Sequence, residues 1–396
     1  MKETKFKNTE IGRIPEDWEV RTINSFCSVK TGPFGSMLHA EDYVAKGTPI
    51  VTTEHFKNGI LPLAGKDIPQ VGIEDLKRMS SYTLTKDDIV FSRVGSVDIN
   101  ALVTVRQKGW LFSGRVLRVR PFKQTDSLYL HYGLLKHSVR SDIVSRAVGL
   151  TMASINTKIL GETELSLPPL NEQHRIASAL TSIDNLISSL GKLIEKKKNI
   201  KQGAMQQLLT GQIRLKGFSE PWGEKKLEEV CSVKRGVRVV KRNLTTDGLY
   251  PVYQNTNFPL GYSNQYNVEA NTPFVIIGGS AGQVGICRER YWAADDCAFF
   301  ACHDIYKEYL YYVLLLNQSN ILHNVRTGTI PRLDRSFLSN MVVYISSNID
   351  EQQAIATILN KMDNEITALE TKKTKYEAIK QGMMQQLLTG KIRLIS

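Results

Sequence analysis

The stretch KQGAMQQLLTGQIRL, Lys201 to Leu215, returns as KQGMMQQLLTGKIRL, Lys380 to Leu394, with only Ala204/Met383 and Gln212/Lys391 differing. Followed upstream without gaps, NEQHRIASALTSIDNLISSLGKLIEKKKNI (Asn171 to Ile200) aligns with DEQQAIATILNKMDNEITALETKKTKYEAI (Asp350 to Ile379), and over the combined 45-residue blocks 24 positions are identical. Agreement on that scale marks a duplicated unit.

Each copy reads as one long helix. Ile176, Ala179, Ile183, Leu186, Leu190, Leu193, Ile200 and Ala204 recur every three or four residues, and Ile355, Ile358, Met362, Leu369, Tyr376, Ile379 and Met383 fall at the corresponding places. Asn171 and Asp350 are candidate N-caps, with Glu172 and Glu351 favourably placed in the first turn, and Gly211 and Gly390 are candidate stops. A helix from Glu172 to Leu209 would run ~57 Å, longer than a compact domain needs, so it reads as a spacer. Polar interruptions at Lys197, Glu365 and Lys372 can fix register between paired helices.

The duplication reaches further upstream. IPEDWEVRTINSFCSVKTG (Ile14 to Gly32) parallels FSEPWGEKKLEEVCSVKRG (Phe218 to Gly236), matching Trp18 with Trp222, Cys27 with Cys231 and Lys30 with Lys234. Between these shared ends the resemblance fades. The layout is therefore a first globular domain over 1–168, a helix over 169–215, a second globular domain over 216–348 and a second helix over 349–396. Helices kept alike beside interiors that diverge suit two different reading heads on one scaffold; a symmetric enzyme would keep its catalytic residues in both copies.

Composition bounds the class. The 396 residues are 42% hydrophobic, enough for more than one core, and the longest apolar run, Tyr309 to Leu316, is far too short to span a membrane. With no apolar signal segment in MKETKFKNTE, the expectation is a cytosolic protein without a membrane partner. Fifty-one Lys and Arg against 39 Asp and Glu give a net charge of +12, spread over the chain with no acidic segment, as an anionic partner would favour. The five cysteines, Cys27, Cys231, Cys287, Cys297 and Cys302, form no C-x-x-C pair, so buried thiols are expected and Cys297, Cys302 and His303 read as packing, not metal ligands.

The globular parts carry β-rich runs, DIVFSRV (Asp88 to Val94), RVLRVRPF (Arg115 to Phe122), PFVIIGG (Pro273 to Gly279) and MVVYISS (Met341 to Ser347). One helix is expected in each, SLYLHYGLLKHSVRSDIVSRA and YKEYLYYVLLLNQSNILHNV. The fold class is mixed α/β. A Trp-led start, the D-I-V-F-S-R-V-G-S strand and loop, then S-L-P-P-L-N-E-Q opening a helix that ends Q-Q-L-L-T-G-Q-I-R-L, all repeated once, resembles the DNA-specificity subunit of type I restriction-modification systems over essentially the whole chain. The second copy departs from the pattern, with S-S-N-I-D-E-Q in place of P-P-L-N-E-Q and FVIIGGSAGQVG in place of VFSRVGSVD.

That resemblance implies two target-recognition domains, each reading half of a bipartite site in double-stranded DNA. It further implies two long helices pairing as an antiparallel coiled coil that separates the heads. The partners implied are methyltransferase (modification) subunits, two of them, joined by restriction and translocase subunits in the full complex. The chain would be non-catalytic, directing adenine methylation and restriction by its partners.

Candidate DNA contacts follow from side-chain chemistry, since Arg and Lys neutralise phosphates, Arg reads guanine and Asn or Gln reads adenine. In the first domain these are Lys30, Arg93, Ser96, Arg115, Thr151, Ser154 and Asn156. In the second they are Lys234, Arg235, Arg238, Gln254, Asn255, Ser280, Gln283, Arg326, Thr327 and Arg332. The N/D-P-P-F/Y motif of adenine methyltransferases, the G-x-x-x-x-G-K-S/T loop and the H-E-x-x-H helix do not occur in the chain, and GGSAGQVG (Gly278 to Gly285) fits no nucleotide-binding spacing. No cofactor or metal is called for. The competing readings are a coiled-coil scaffold that binds no DNA, and an enzyme centred on Cys297, Cys302 and His303.

Overall fold

The computed structural model describes residues 4–33, 37–65, 67–149, 151–240, 242 and 244–395. The chain forms two compact units, one from Met1–Ser189 with Lys373–Ser396, the other from Leu190–Lys372. Two 39-residue helices, a central one over Leu170–Leu208 and a terminal one over Ile349–Leu387, each contribute one segment to each unit.

Both units are built on one plan. In the first unit a four-stranded antiparallel sheet runs in the order Cys27–Thr31, Val116–Pro121, Ile89–Ser92, Asn100–Leu102. In the second the order is Cys231–Arg235, Cys297–Cys302, Pro273–Ile276, Val284–Ile286, with the same pairings. A two-stranded ribbon joins the start of each unit to the strand before its long helix, Glu19–Thr22 with Glu164–Leu167 and Trp222–Lys226 with Val342–Ser346. The β-rich runs read from sequence all form strands.

The two expected single helices are each two. Ser127–Leu134 and His137–Ser145 are separated at Lys136, whose backbone is extended, and Lys307–Leu316 and Gln318–His323 are separated at Asn317. A break of this kind leaves no mark in apolar periodicity, because both pieces bury residues on the same side.

The helix starts also differ from expectation. Asn171 and Asp350 lie inside the first turn, one residue after Leu170 and Ile349. The cap of the terminal helix is Asn348, whose Oδ1 accepts from the Asp350 and Glu351 amides at 2.8 and 3.1 Å. Pro169 occupies the corresponding place before the central helix, and its carbonyl accepts from the Glu172 and Gln173 amides. The stops are as read: Gly211 and Gly390 take φ of +70° and +69°, open only to glycine at low cost.

Within each unit the two helical segments run antiparallel, and the repeated residues hold them. In the second unit Lys201 bonds Asp363 at 2.5 Å, and the Tyr312 hydroxyl donates to the other Asp363 oxygen at 2.7 Å. In the first unit Lys380 bonds Asp184 at 2.6 Å, with Tyr132 donating at 2.8 Å. Lys197 pairs with Glu365 at 2.7 Å, so that polar interruption does link the helical segments of the second unit.

Each long helix is followed by an arginine that returns to the start of the other. Arg393 forks onto Glu172 at 2.8 Å through both Nε and Nη2, and Trp18 Nε1 donates to the same carboxylate at 3.1 Å. Arg214 forks onto Glu351 at 2.7 and 2.9 Å, with Trp222 Nε1 donating at 3.0 Å. In the first unit Arg393 also takes both oxygens of Asp17; Glu172 first and Asp17 after it lift the guanidinium pKa, and the bond to Arg393 lowers that of Asp17. This clasp is why the fifteen-residue stretch is kept twice: its lysine, glycine and arginine each have a place to fill in both units.

The cores follow. Trp18, Phe91, Leu117 and Val119 pack with Ile176, Leu180, Leu387 and Leu388 in the first unit, and Phe300, Tyr309, Leu310 and Ile345 with Leu208, Ile355 and Leu359 in the second. The apolar stripe is only partly consumed. Leu186 and Ile379 in the first unit, and Leu193 and Ile200 in the second, are 38 to 47% exposed. Four cysteines are buried and Cys302 is half-buried on a strand, as packing residues would be, with burial raising the thiol pKa of each. Among the described residues no helix is long and apolar enough to cross a membrane.

Candidate nucleic-acid interface

At one end of each four-stranded sheet, three loops are stitched together by backbone bonds that repeat bond for bond. In the first unit the Gly32 amide donates to Val116, Arg93 to Arg115, Ile155 to Arg93 and Gly95 to Ala153, at 2.8 to 3.1 Å. In the second, Gly236 donates to Cys297, Ile277 to Asp296, Leu333 to Ile277 and Gly279 to Pro331, over the same range. Val148 pairs with Ser154, and Arg326 with Arg332, through equivalent antiparallel bridges.

Glycine is required where these loops meet. A Cβ on Gly32 would lie 2.0 Å from the Ser113 carbonyl oxygen and one on Gly236 2.1 Å from that of Ala294, which explains the glycine ending SVKTG and SVKRG. Gly95 and Gly279 both sit at φ +85°. GGSAGQVG is therefore the counterpart of the VGS loop of the first unit, despite its different sequence.

On this shared framework the side chains diverge. Arg93 corresponds to Ile277, Arg115 to Asp296, Val148 to Arg326 and Ser154 to Arg332. The exposed Arg332 lies 3.5 Å from Asp296, a pairing that Ser154 and Arg115 cannot make. A loop set that conserves its backbone and changes its chemistry at each equivalent place is suited to presenting two different readings.

The predicted residues fall into three groups. Arg115, Ser96 and Thr151 in the first unit, and Arg326, Thr327, Arg332 and Asn255 in the second, are exposed on or beside the joined loops. The Asn255 carbonyl accepts from the Ser280 amide at 2.9 Å, bringing those two together, and Gln254 lines a surface hollow with Arg238. Lys234 is exposed on its strand.

A second group is committed to the protein itself. Arg93 donates to the carbonyls of Gly114 at 2.8 Å and Ile155 at 3.3 Å, and its Nη1 lies 3.4 Å from Thr31 Oγ1, so it braces all three loops. Arg235 donates to the Asp295 carbonyl at 2.7 Å, the Gln283 side chain accepts from the Asn257 amide at 3.2 Å, and Ser154 Oγ donates to the Val148 carbonyl. Asn156 is the N-cap of Thr157–Gly161, accepting from the Ile159 amide at 2.9 Å.

Lys30 stands apart. It lies on its strand with Nζ 4.2 Å over the Tyr82 ring, donating to Ser81. Its cross-strand neighbour, Arg118, was passed over in the sequence, as was Arg120; their alternation in RVLRVRPF, which puts both on the face of the sheet opposite Leu117 and Val119, was the available signal.

Comparison with known proteins gives this architecture its family. A model described as the type I restriction modification DNA specificity domain matches residues 15–202 and 219–381, and the chain belongs to that family. It resembles the type I restriction enzyme MjaVIII specificity subunit of Methanocaldococcus jannaschii, 28% identical over 99% of this chain and 97% of that one. The putative MjaX specificity subunit of the same organism is 27% identical over 99% and 98%. The crystal structure of a type I restriction-modification S subunit from M. genitalium superposes with a TM-score of 0.69 over 93% of this chain and 96% of that one, at 18% identity, and shares its fold. The protein is thus a non-catalytic specificity subunit, which determines DNA target recognition in a type I restriction-modification system.

Proposed function

We propose that the two units each read one half of an asymmetric, bipartite DNA site. The recognition domains would be residues 1–168 and 216–348, with 169–215 and 349–396 as spacers. The observation that carries this reading is the pair of loop sets with matched backbone bonds and unmatched side chains. Exposed Arg115, Ser96 and Thr151 would face the first half-site, and Arg326, Thr327, Arg332, Asn255, Lys234 and Arg238 the second, with Ser280 and Gln254 beside them, while the side chains of Asn156 and Gln283 hold backbone amides. Arg93, Arg235 and Ser154 would act by holding the loops in shape, and Arg93 could meet a base only by exchanging its bonds to Gly114 and Ile155.

The retained helices would serve the partners. Their unspent apolar residues, Leu186 and Ile379 in one unit and Leu193 and Ile200 in the other, of which Ile379 and Ile200 are equivalent in the repeat, would supply apolar surface for two copies of a modification subunit that methylates adenine. Restriction and translocase subunits would complete the assembly. The test is genome-wide mapping of methyladenine in the host with the gene intact and deleted. Loss of methylation at one split, asymmetric motif is expected. An unchanged map, together with DNA binding by the purified protein that shows no sequence preference, would overturn the reading.

A further inference from the structure

Three cations gather on one face of the first unit's sheet. Arg118 lies directly opposite Lys30 on the neighbouring strand, and Arg120 follows two residues on. The cluster has a single carboxylate, Asp88, and both of its oxygens are taken. Arg120 donates to them at 2.6 and 2.7 Å, and the Thr85 amide adds a bond at 2.7 Å. Arg118 is left over. It is 6% exposed, its Nε is buried without an acceptor among the described residues, and its guanidinium carbon lies 5.8 Å from the centre of the Phe112 ring.

This is a costly arrangement for a protein by itself, since a buried cation needs a counter-charge. Burial first, then repulsion from Arg118 and Arg120, depresses the pKa of Lys30, and burial followed by repulsion from Arg120 depresses that of Arg118. The second unit lacks the feature: Phe299 lies opposite Lys234 where Arg118 lies opposite Lys30, and Ala301 stands in place of Arg120.

We propose that Lys30 and Arg118, with Arg120 behind them, form a socket for a phosphate group, filled in the working complex by a backbone phosphate of the first half-site. The Ser81 hydroxyl, 3.1 Å from Lys30 Nζ, supplies a further polar group at its rim. The socket rests on the proposal that the first unit faces DNA, and it makes the two units unequal in how they grip the backbone.

The experiment uses the full chain and its Arg118→Met variant, which keeps bulk and removes charge. Thermal unfolding is followed with inorganic phosphate against chloride at equal ionic strength, and affinity for a duplex carrying the host motif is followed across salt concentrations. Phosphate should raise the melting temperature of the parent protein beyond chloride and lose that advantage in Arg118→Met. The variant should be no less stable in chloride, and its salt slope on DNA should fall by about one with the motif unchanged. A variant that is less stable in chloride, with an unchanged slope, would make Arg118 a brace and overturn the socket. A phosphate effect without a change in slope would reject DNA as its source in favour of free phosphate. Should Arg118→Met not fold, Lys30→Gln tests the same slope. If the parent itself showed no preference for the motif, the proposed function would fail, and the phosphate arm would still decide the socket.

Discussion

The two clasps make the most direct comparison in the molecule. Both join a tryptophan, a glutamate and an arginine, yet Arg393 is gripped by two carboxylates and only 8% of its side chain is exposed, whereas Arg214 bonds one and is 30% exposed. The same duplicated residues have been drawn deeper into one unit than into the other. Duplication preserves a contact; its energetic weight is set by the surroundings, which diverge freely.

Arg393→Ala should therefore be the more damaging change. It removes the cation from two carboxylates, Glu172 and Asp17, and a loss of about 3 kcal/mol is expected; Arg214→Ala strands the equally buried Glu351, which keeps the donors Ser346 Oγ and Trp222 Nε1, so its loss should be smaller. Chemical denaturation of the two variants checks the ranking, and equal losses would mean that the clasps are interchangeable.

Acid should separate the units next. His131 Nδ1 donates to Asn100 Oδ1 at 2.6 Å, and burial, followed by the nearby Lys380, pushes its pKa down from 6.5 to about 4. A depressed histidine contributes stability that is complete above 6.5 and lost as pH falls toward 4, because the unfolded chain takes up the proton first. The expected loss is on the order of 2 kcal/mol in the first unit. The second unit has Tyr311 at this place, beside Tyr312 as His131 is beside Tyr132, and a tyrosine does not change charge over that range. Hydrogen exchange at pH 7 and pH 5 should show the first unit opening more readily, and a uniform response would remove His131 as the cause.

The smallest effect is expected at the loops. Exchanging Ser154→Arg and Arg332→Ser should alter affinity by about 1 kcal/mol at the half-site facing each change and leave the other untouched. Competition binding with duplexes altered in one half-site reads this, and a change at both halves would show that the loops do not act independently.

These comparisons show what could be read in advance. The helices, their glycine stops and the duplicated frame were legible because the repeat preserves them at fixed spacing. Asn348 was not read as a cap, since the duplicated Asn171/Asp350 position drew attention to the wrong residue. The role of Arg93 was hidden because an arginine in a glycine-rich loop looks the same whether it faces DNA or three backbone carbonyls. Glu172 and Glu351 were read as first-turn acids; that both are retained with both arginines and both tryptophans was the missed sign of the clasp. The fade in resemblance between the modules concealed an identical sheet order, because strand pairing is carried by backbone groups that leave no imprint on side-chain identity.

The bond between Glu172 and Arg393 joins residues 221 positions apart, while the second unit is continuous from Leu190 to Lys372. A ribosome adding roughly 5–20 residues per second needs about 10–45 s to cover that interval. The module made first is thus finished last, and must wait, with Trp18 and Glu172 unsealed, until the module made second has already emerged. A nonsense codon shortly before Arg393 would accordingly do its harm in the domain at the opposite end of the gene.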